Sequence, residues 1–384
     1  MKHHFDLIVV GSGILGTAHA YHAAQRGLSV LLLEKDNYPV GSTVQNFGQA
    51  VPSGFVGKWQ EFGRRATDIY KQLQQEFDIS VRQNGSVYIA SDAAEQQLIH
   101  ELHTHFESVG YTSQLLTKKQ TLAQYPALRT SYVHEALYFP QEVSVEPNRL
   151  IYRLIEYCQA NFQNLDYRPN TPVIACEPTA KGVEVRTSYQ DVFTASKAIV
   201  CSGAEFRLLF PALFRQSGIV VSKIQMLRTV PMPEVALEGN ILTGLTIRRY
   251  ESFEQMPSFK TLTTPDHYAE LKRWGVHILF KKAPDGSIII GDSHEYAPAA
   301  QVNDLGFHTS EVINDLMLRE AERIVTFDVH RIAQTWAGFY AQHPNEIFAH
   351  DIENCIHIRT AIGGKGMTTS MGYAEAMIEE LYGE

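Results

Sequence analysis

The stretch FDLIVVGSGILGTAHAYHAAQRGLSVLLLE, residues 5–34, decides the fold. Residues 6–10 form a short apolar run, the pattern of a parallel strand buried on both faces. Gly11, Gly13 and Gly16 follow at G-x-G-x-x-G spacing. The first glycine permits the tight turn, the second lets backbone approach a pyrophosphate, and the third lets helix and strand pack closely. An amphipathic helix is expected over 18–26, stopped by Gly27, and a second buried strand over 29–33. Glu34 ends that strand near the roughly 20-residue offset at which a carboxylate meets a ribose 2′-hydroxyl. The glycine spacing alone also fits a plain turn in an α/β protein. Strand, turn, helix, strand and terminal acid together predict a dinucleotide site, with the phosphates at the helix N-terminus. Glu34 calls for an unphosphorylated ribose, meaning NAD or FAD, since NADP would want an arginine there.

Working outward, the 384 residues are 44% hydrophobic and 20% charged, an ordinary globular balance that suggests two or three domains. The net charge of −9 argues against a nucleic-acid surface. No apolar run is long enough to span a membrane, and residues 1–6 lack the apolar region of a signal peptide, so a cytoplasmic protein without stable membrane insertion is expected. Cys158, Cys176, Cys201 and Cys355 form no C-x-x-C pair and read as buried thiols, which counts against a disulfide reductase. The 16 histidines are scattered, and no metal site is expected from their spacing.

Residues 41–54, GSTVQNFGQAVPSG, read as a loop crossing over a bound dinucleotide. Helices are expected over 57–77, 92–109 with Ser91 as N-cap, 116–125 and 145–162. Strands are expected over 86–90, 136–139, 173–177, 183–187, 192–197 and 198–201. Residues 219–290 alternate apolar and polar, with a hairpin at Asp285-Gly286, and predict an antiparallel sheet forming a second domain. A helix over 312–324, strands over 329–341 and 356–361, the run IGGKGMTT and a helix over 371–381 complete the chain.

In this order the pieces resemble the D-amino acid oxidase superfamily of FAD-dependent amine oxidoreductases, especially its glycine and sarcosine oxidase branch. The resemblance rests on GSGILG with Glu34, the loop at 42–54, VEPNRL at 145–150, AIVCSGAEF at 198–206, DGSIIIGDSHE at 285–295, QTWAGFYA at 334–341 and GGKGMTTSMGYAEAMIEEL at 363–381. It implies a Rossmann-type FAD domain (1–85, 140–218 and 330–384) and a discontinuous antiparallel substrate domain (86–139 and 219–329). It implies that Gly11, Ser12, Gly13, Ile14 and Gly16 hold the pyrophosphate, that Glu34 and Lys35 hold the ribose, and that Val173 and Gly203 lie at the adenosine half. Ser42, Thr43, Asn46, Phe47, Gly48 and Gln49 would run along the flavin, with Gly364, Lys365, Gly366, Met367 and Thr368 at its pyrimidine end. A positive helix end there favours the anionic reduced flavin.

Two departures stand out. No cysteine occupies 336–341, so the resemblance implies non-covalent FAD. Lys365 and Thr368 stand where the sarcosine oxidase branch commonly has a histidine and a lysine. Lys281, Lys365, Tyr250 and Gln49 are the candidate catalytic residues, with Lys281 or Lys282 the candidate cation near flavin N5. NFGQAVPSG and QMLRT resemble a subgroup associated with phosphonate degradation, which implies a small anionic amine such as 2-aminoethylphosphonate or its N-methyl form, with glycine, sarcosine or a D-amino acid as the carboxylate counterpart. Candidate anion ligands are Arg228, Arg248, Arg249, Tyr250, Arg331, Arg359 and Lys365, with Tyr340 also at the substrate. The arginine fork suits phosphonate and carboxylate equally. The expected reaction is hydride transfer from the amine's carbon to flavin N5 and hydrolysis of the imine, with oxygen or another electron acceptor. Oxidation of a 2-hydroxy acid or glycerol phosphate, and a non-catalytic flavoprotein, remain as alternatives.

Overall fold

The computed structural model describes residues 4–383; residues 1–3 and 384, the two ends of the expected FAD domain, lie outside the described residues. His4–Val10 and Val30–Leu33 pair in parallel, Leu7 opposite Val30 and Val10 opposite Leu33. Val192–Val200 and Ile356–Thr360 extend the sheet on one side and Leu165–Arg168 on the other, all parallel. Leu7, Ile8 and Val9 are fully buried, as strands covered on both faces require. Phe348–Ile352 adds an antiparallel edge, and Val173–Thr179 and Gly182–Thr187 form a meander on Val192–Val200. That last strand runs unbroken through the division expected at residue 197.

The first helix is Ile14–Gln25, four residues earlier than its apolar pattern suggests, because Gly13 is already the N-cap. Residues 14–24 are all buried, so the helix has no solvent face and the expectation of amphipathicity fails. Its cover is the C-terminal helix Gly366–Tyr382, packed in turn on Gly57–Glu76. Gly372 permits that second contact, since a Cβ there would lie 2.3 Å from the Phe62 carbonyl oxygen.

The second sheet has nine strands and is almost wholly antiparallel. Val220–Thr229 pairs along its length with Ile332–Gln342. The hairpin at Asp285-Gly286 joins Leu279–Lys282 to Ile288–Gly291. Ile332–Gln342 therefore belongs to the second sheet, so the boundary expected at 330 precedes a strand of the second sheet and not of the first. The alternating run after residue 240 is also shorter than expected: Asn240–Leu242 gives way at once to the helical turn Gly244–Ile247. Asp92, not Ser91, caps the helix Ala93–Ser108, accepting the Glu95 N–H at 2.8 Å. No helix among the described residues is long and apolar enough to cross a membrane.

Candidate active site

A cavity of about 640 Å³ runs from the first glycine turn to the face of the second sheet. At its first end the turn is set by contacts only glycine allows. Gly11 has φ of +97°, and a Cβ on Gly16 would lie 1.9 Å from the Gly11 carbonyl oxygen. Glu34 is buried, and its Oε2 accepts both the N–H and the hydroxyl of Ser12 at 2.9 Å. The carboxylate thus locks the turn as well as facing the cavity. Ile14, expected at the pyrophosphate, donates its N–H to Thr43 Oγ1 at 2.9 Å. Lys35, Val173 and Gly203 also line this end.

The segment expected as loop is partly ordered into a helical turn, Ser42–Gln45, and a short strand, Gln49–Ala50. Ser42 donates to the Phe339 carbonyl at 2.6 Å, and Asn46 Oδ1 accepts the Gly48 N–H at 2.8 Å, so both hold the segment's shape. Ser42, Thr43, Asn46, Phe47, Gly48 and Gln49 line the cavity, as do Gly364, Lys365, Gly366, Met367 and Thr368. Lys365 pairs with Glu346, so its charge is already matched. Gln49 Nε2 and Ser202 Oγ are buried on the wall with no hydrogen-bond partner, and Cβ atoms on Gly203 and Gly364 would meet only open space. Unpaired buried donors beside an open groove fit a long polar ligand, and FAD fits these residues.

The far end is built by the second sheet. Arg249, Tyr250, Glu251, His277, Asp292, His294 and Tyr340 line it. His277 Nε2 lies 2.8 Å from Asp292 Oδ1, and the two backbones exchange N–H···O bonds of 3.0 and 2.7 Å. His294 Nδ1 bonds the Gly275 carbonyl at 3.0 Å, which assigns that nitrogen the proton. Burial pulls the His294 pKa down to about 3, so the ring is neutral. Burial would raise the Asp292 pKa, but His277, His294 and Arg249 together hold it below the usual carboxylate value. Burial pushes the phenols of Tyr250 and Tyr340 up, and the Asp292 charge adds to both.

Several expected residues are elsewhere. Arg248 is spent on Glu95 and Asp92, both at 2.5 Å, on the other side of the chain from its neighbour Arg249. Arg228 bonds Ser287 and Asp285, and Arg331 is exposed beside Glu234 at 3.9 Å; neither reaches the cavity. Of the five candidate substrate arginines, Arg249 and Arg359 stand on the wall. Arg359 is paired with Asp351 at 2.7 Å. Lys282 turns away to the Pro233 and Val235 carbonyls. Lys281 is fully buried behind Gly48, within 2.5 Å of the Val145 carbonyl and 3.3 Å of Glu146. It sits one backbone layer from the cavity, and burial lowers its pKa to about 8. Sequence spacing missed His277, Asp292 and His294, whose ligand-type atoms lie within 4.8 Å of one another. The available signal was GDSHE directly after a buried strand, which sets two polar side chains on one face.

A parallel sheet with a glycine turn, joined by one cavity to an antiparallel sheet, defines a dinucleotide-binding class of fold. The chain belongs to the DAO family, described as FAD dependent oxidoreductase, which it matches over residues 6–380. It is 24% identical over 261 residues to mitochondrial sarcosine dehydrogenase of Mus musculus, covering 66% of this chain and 27% of that one. It is 24% identical over 219 residues to glycine oxidase of Geobacillus kaustophilus, covering 53% of this chain and 56% of that one. The chain thus spans about a quarter to about half the length of these curated relatives. The crystal structure of that glycine oxidase superposes with a TM-score of 0.77 at 18% identity, over 99% of this chain and 95% of the other, which shows the shared fold.

Proposed function

We propose that this protein oxidises the C–N bond of a small amine that also carries an anionic group, an aminoalkylphosphonate such as 2-aminoethylphosphonate or its N-methyl form, or the corresponding amino acid. The observation that carries the reading is one continuous cavity, with the Gly11–Gly16 turn at one end and Arg249 among Tyr250, Asp292 and Tyr340 at the other. FAD, held by the Gly11–Gly16 turn, Glu34 and residues 42–49, would supply the hydride acceptor; the nitrogen gives up its proton before hydride leaves the neighbouring carbon, and water hydrolyses the imine so formed. The chain's part is placement. Arg249 offers a planar pair of donors to phosphonate or carboxylate oxygens. Tyr250 and Tyr340 stay protonated and donate hydrogen bonds without adding charge. Lys281 shares its charge with Glu146 at 3.3 Å, and its ammonium stands directly behind Gly48, where it favours electron transfer to an acceptor such as oxygen. FAD is held non-covalently: among the described residues Cys201 is the one cysteine on the wall, and burial pushes its pKa up to about 12, leaving an unreactive thiol. The matched relatives named sarcosine dehydrogenase and glycine oxidase support an amine substrate.

The test is anaerobic bleaching of the visible flavin band by glycine, sarcosine, D-alanine, 2-aminoethylphosphonate and its N-methyl form. Rapid bleaching by the phosphonates alone supports the phosphonate reading; bleaching by the amino acids alone moves the substrate to the carboxylate class. The His277–Asp292 contact favours a second reading, because an alcohol needs a base that an amine does not. Glycolate, lactate and glycerol 3-phosphate therefore belong in the panel, and bleaching by these alone would remove the amine reading.

A further inference from the structure

We propose that Asp292 is the binding subsite for the cationic nitrogen of the substrate, and that with Arg249 it selects zwitterions over simple anions. This rests on the small-amine reading above. The argument begins with unmet hydrogen-bonding capacity. An ionised carboxylate offers about four acceptor sites. Two other buried acids spend theirs: Glu34 accepts from Ser12 twice and from Asp36, and Glu95 accepts from Ser91 twice and from Arg248. Glu142 and Glu320 each keep one unpartnered oxygen, but neither lines the cavity. Asp292 is 8% exposed, yet it has only His277 Nε2 at 2.8 Å and the more distant His294 Nδ1 at 3.8 Å. No backbone N–H or hydroxyl among the described residues donates to its side chain. Its Oδ1 is buried without a well-formed hydrogen bond.

The cations nearby do not satisfy it. Arg249 is close enough to act on its ionisation but forms no ion pair with it, and donates instead to the Tyr296 hydroxyl at 2.9 Å. His294 is neutral, and Tyr250 and Tyr340 remain protonated. The groups facing Asp292 are therefore His277, His294, Arg249, Tyr250 and Tyr340, which leaves a negative carboxylate on a cavity wall that an incoming ammonium would neutralise. An anion entering without an ammonium would meet Arg249 but also the Asp292 charge. Two such poles in one cavity orient a substrate by both ends and present its nitrogen-bearing carbon in one way. The same cluster has ligand types suited to a metal ion. Yet two ligands about 2.0–2.1 Å from a tetrahedral ion stand roughly 3.3 Å apart. His277 Nε2 and Asp292 Oδ1, at 2.8 Å, stand closer than that spacing.

The experiment uses the FAD-loaded protein and follows ligand-induced change in the flavin spectrum. Two matched pairs are titrated: 2-aminoethylphosphonate against ethylphosphonate, and sarcosine against butyrate. The wild type should prefer the amine in at least one pair. Asp292→Asn should weaken that amine at least tenfold, the scale of one charge-assisted hydrogen bond, while its amine-free partner binds unchanged or tighter. Asp292→Glu should retain the preference. Equal weakening of both members would assign Asp292 a structural role and overturn the proposal. So would a wild type without preference in either pair, or a stoichiometric metal in the purified protein that Asp292→Asn loses. The two readings separate cleanly. An Asp292-dependent preference for amines that never bleach the flavin keeps the subsite and removes amine oxidation. Bleaching equally fast in Asp292→Asn keeps amine oxidation and removes the subsite.

Discussion

Replacing Glu142 by glutamine should stabilise the protein progressively as pH rises. Glu142 is fully buried; its Oε1 accepts the Ser53 N–H at 2.7 Å and the Tyr111 hydroxyl at 3.0 Å, and its Oε2 has no partner. Burial raises its pKa from 4.5 to about 7 against those hydrogen bonds. The folded state therefore holds this proton more tightly than the unfolded chain. The stabilisation is complete below pH 4.5 and is lost as pH rises through 7. Integrated from pH 5 to 8.5, the loss is about 2.5 kcal/mol. Unfolding entropy for a chain this long is about 0.8 kcal/mol per kelvin, which makes that loss about 3 °C in Tm. Glu142→Gln does not titrate. Its Tm relative to wild type should therefore rise by about 3 °C between those two pH values, measured in a fixed excess of FAD. Glu320, also raised to about 7 by burial, titrates in both proteins and cancels in the difference. A Tm difference that stays flat with pH, in folded protein of equal flavin content, would refute the reasoning. The site has a stake in the outcome. Glu142 holds Ser53, whose hydroxyl meets the Tyr88 hydroxyl at 3.1 Å, and the Tyr88 ring stands edge-on to Tyr250 on the cavity wall.

Three other outcomes follow from the same geometry. Gly48→Ala should lose bound flavin, seen as a lower visible-to-ultraviolet absorbance ratio, because φ is +82° and a Cβ would lie 2.3 Å from the Val145 oxygen and 2.4 Å from Lys281 Nζ; full flavin content would sink this. Glu34→Gln should weaken FAD tenfold or more by equilibrium dialysis, since it removes the charge behind two hydrogen bonds from Ser12, each worth about 1.5–3 kcal/mol when charge-assisted. Reoxidation of the reduced protein by oxygen should slow as pH rises through about 8, where Lys281 loses its proton, and Lys281→Met should be slow at every pH while anaerobic bleaching by substrate is little changed; stopped-flow traces with identical pH profiles in both proteins would count against a role for this cation.

The nucleotide half was legible because its constraints are local. Gly11, Gly13, Gly16 and Glu34 fall within one strand–helix–strand unit, and Gly16 answers a contact made inside it, against Gly11 and Val9, although Gly11 and Gly13 also face Cys201 and Thr43 beyond it. Even there, the start of the helix at Ile14 was hidden, because residues 14–17 show no polar boundary. The substrate half resisted reading because its constraints are distant. QMLRT and RRY promise three arginines, yet partners far along the chain decide their fates: Asp285 takes Arg228, Glu95 and Asp92 take Arg248, and only Arg249 reaches the cavity.

The contrast between Arg248 and Arg249 explains how the cavity keeps its polarity. Consecutive residues after the turn Gly244–Ile247 cannot share a face, so one guanidinium must go each way. Arg248 is 7% exposed in its side chain and is paired with two acids, one of them fully buried, so its charge is spent away from the cavity. Arg249 carries none, and Asp292 across the cavity wall carries no arginine or lysine. An ion pair between them would have closed the site and removed both poles. Keeping them apart leaves two opposite, incompletely satisfied charges in one cavity, which costs stability unless a ligand of matching charges fills it. On the proposed reading a small zwitterion would do so, whereas a simple anion would answer only one of the two charges.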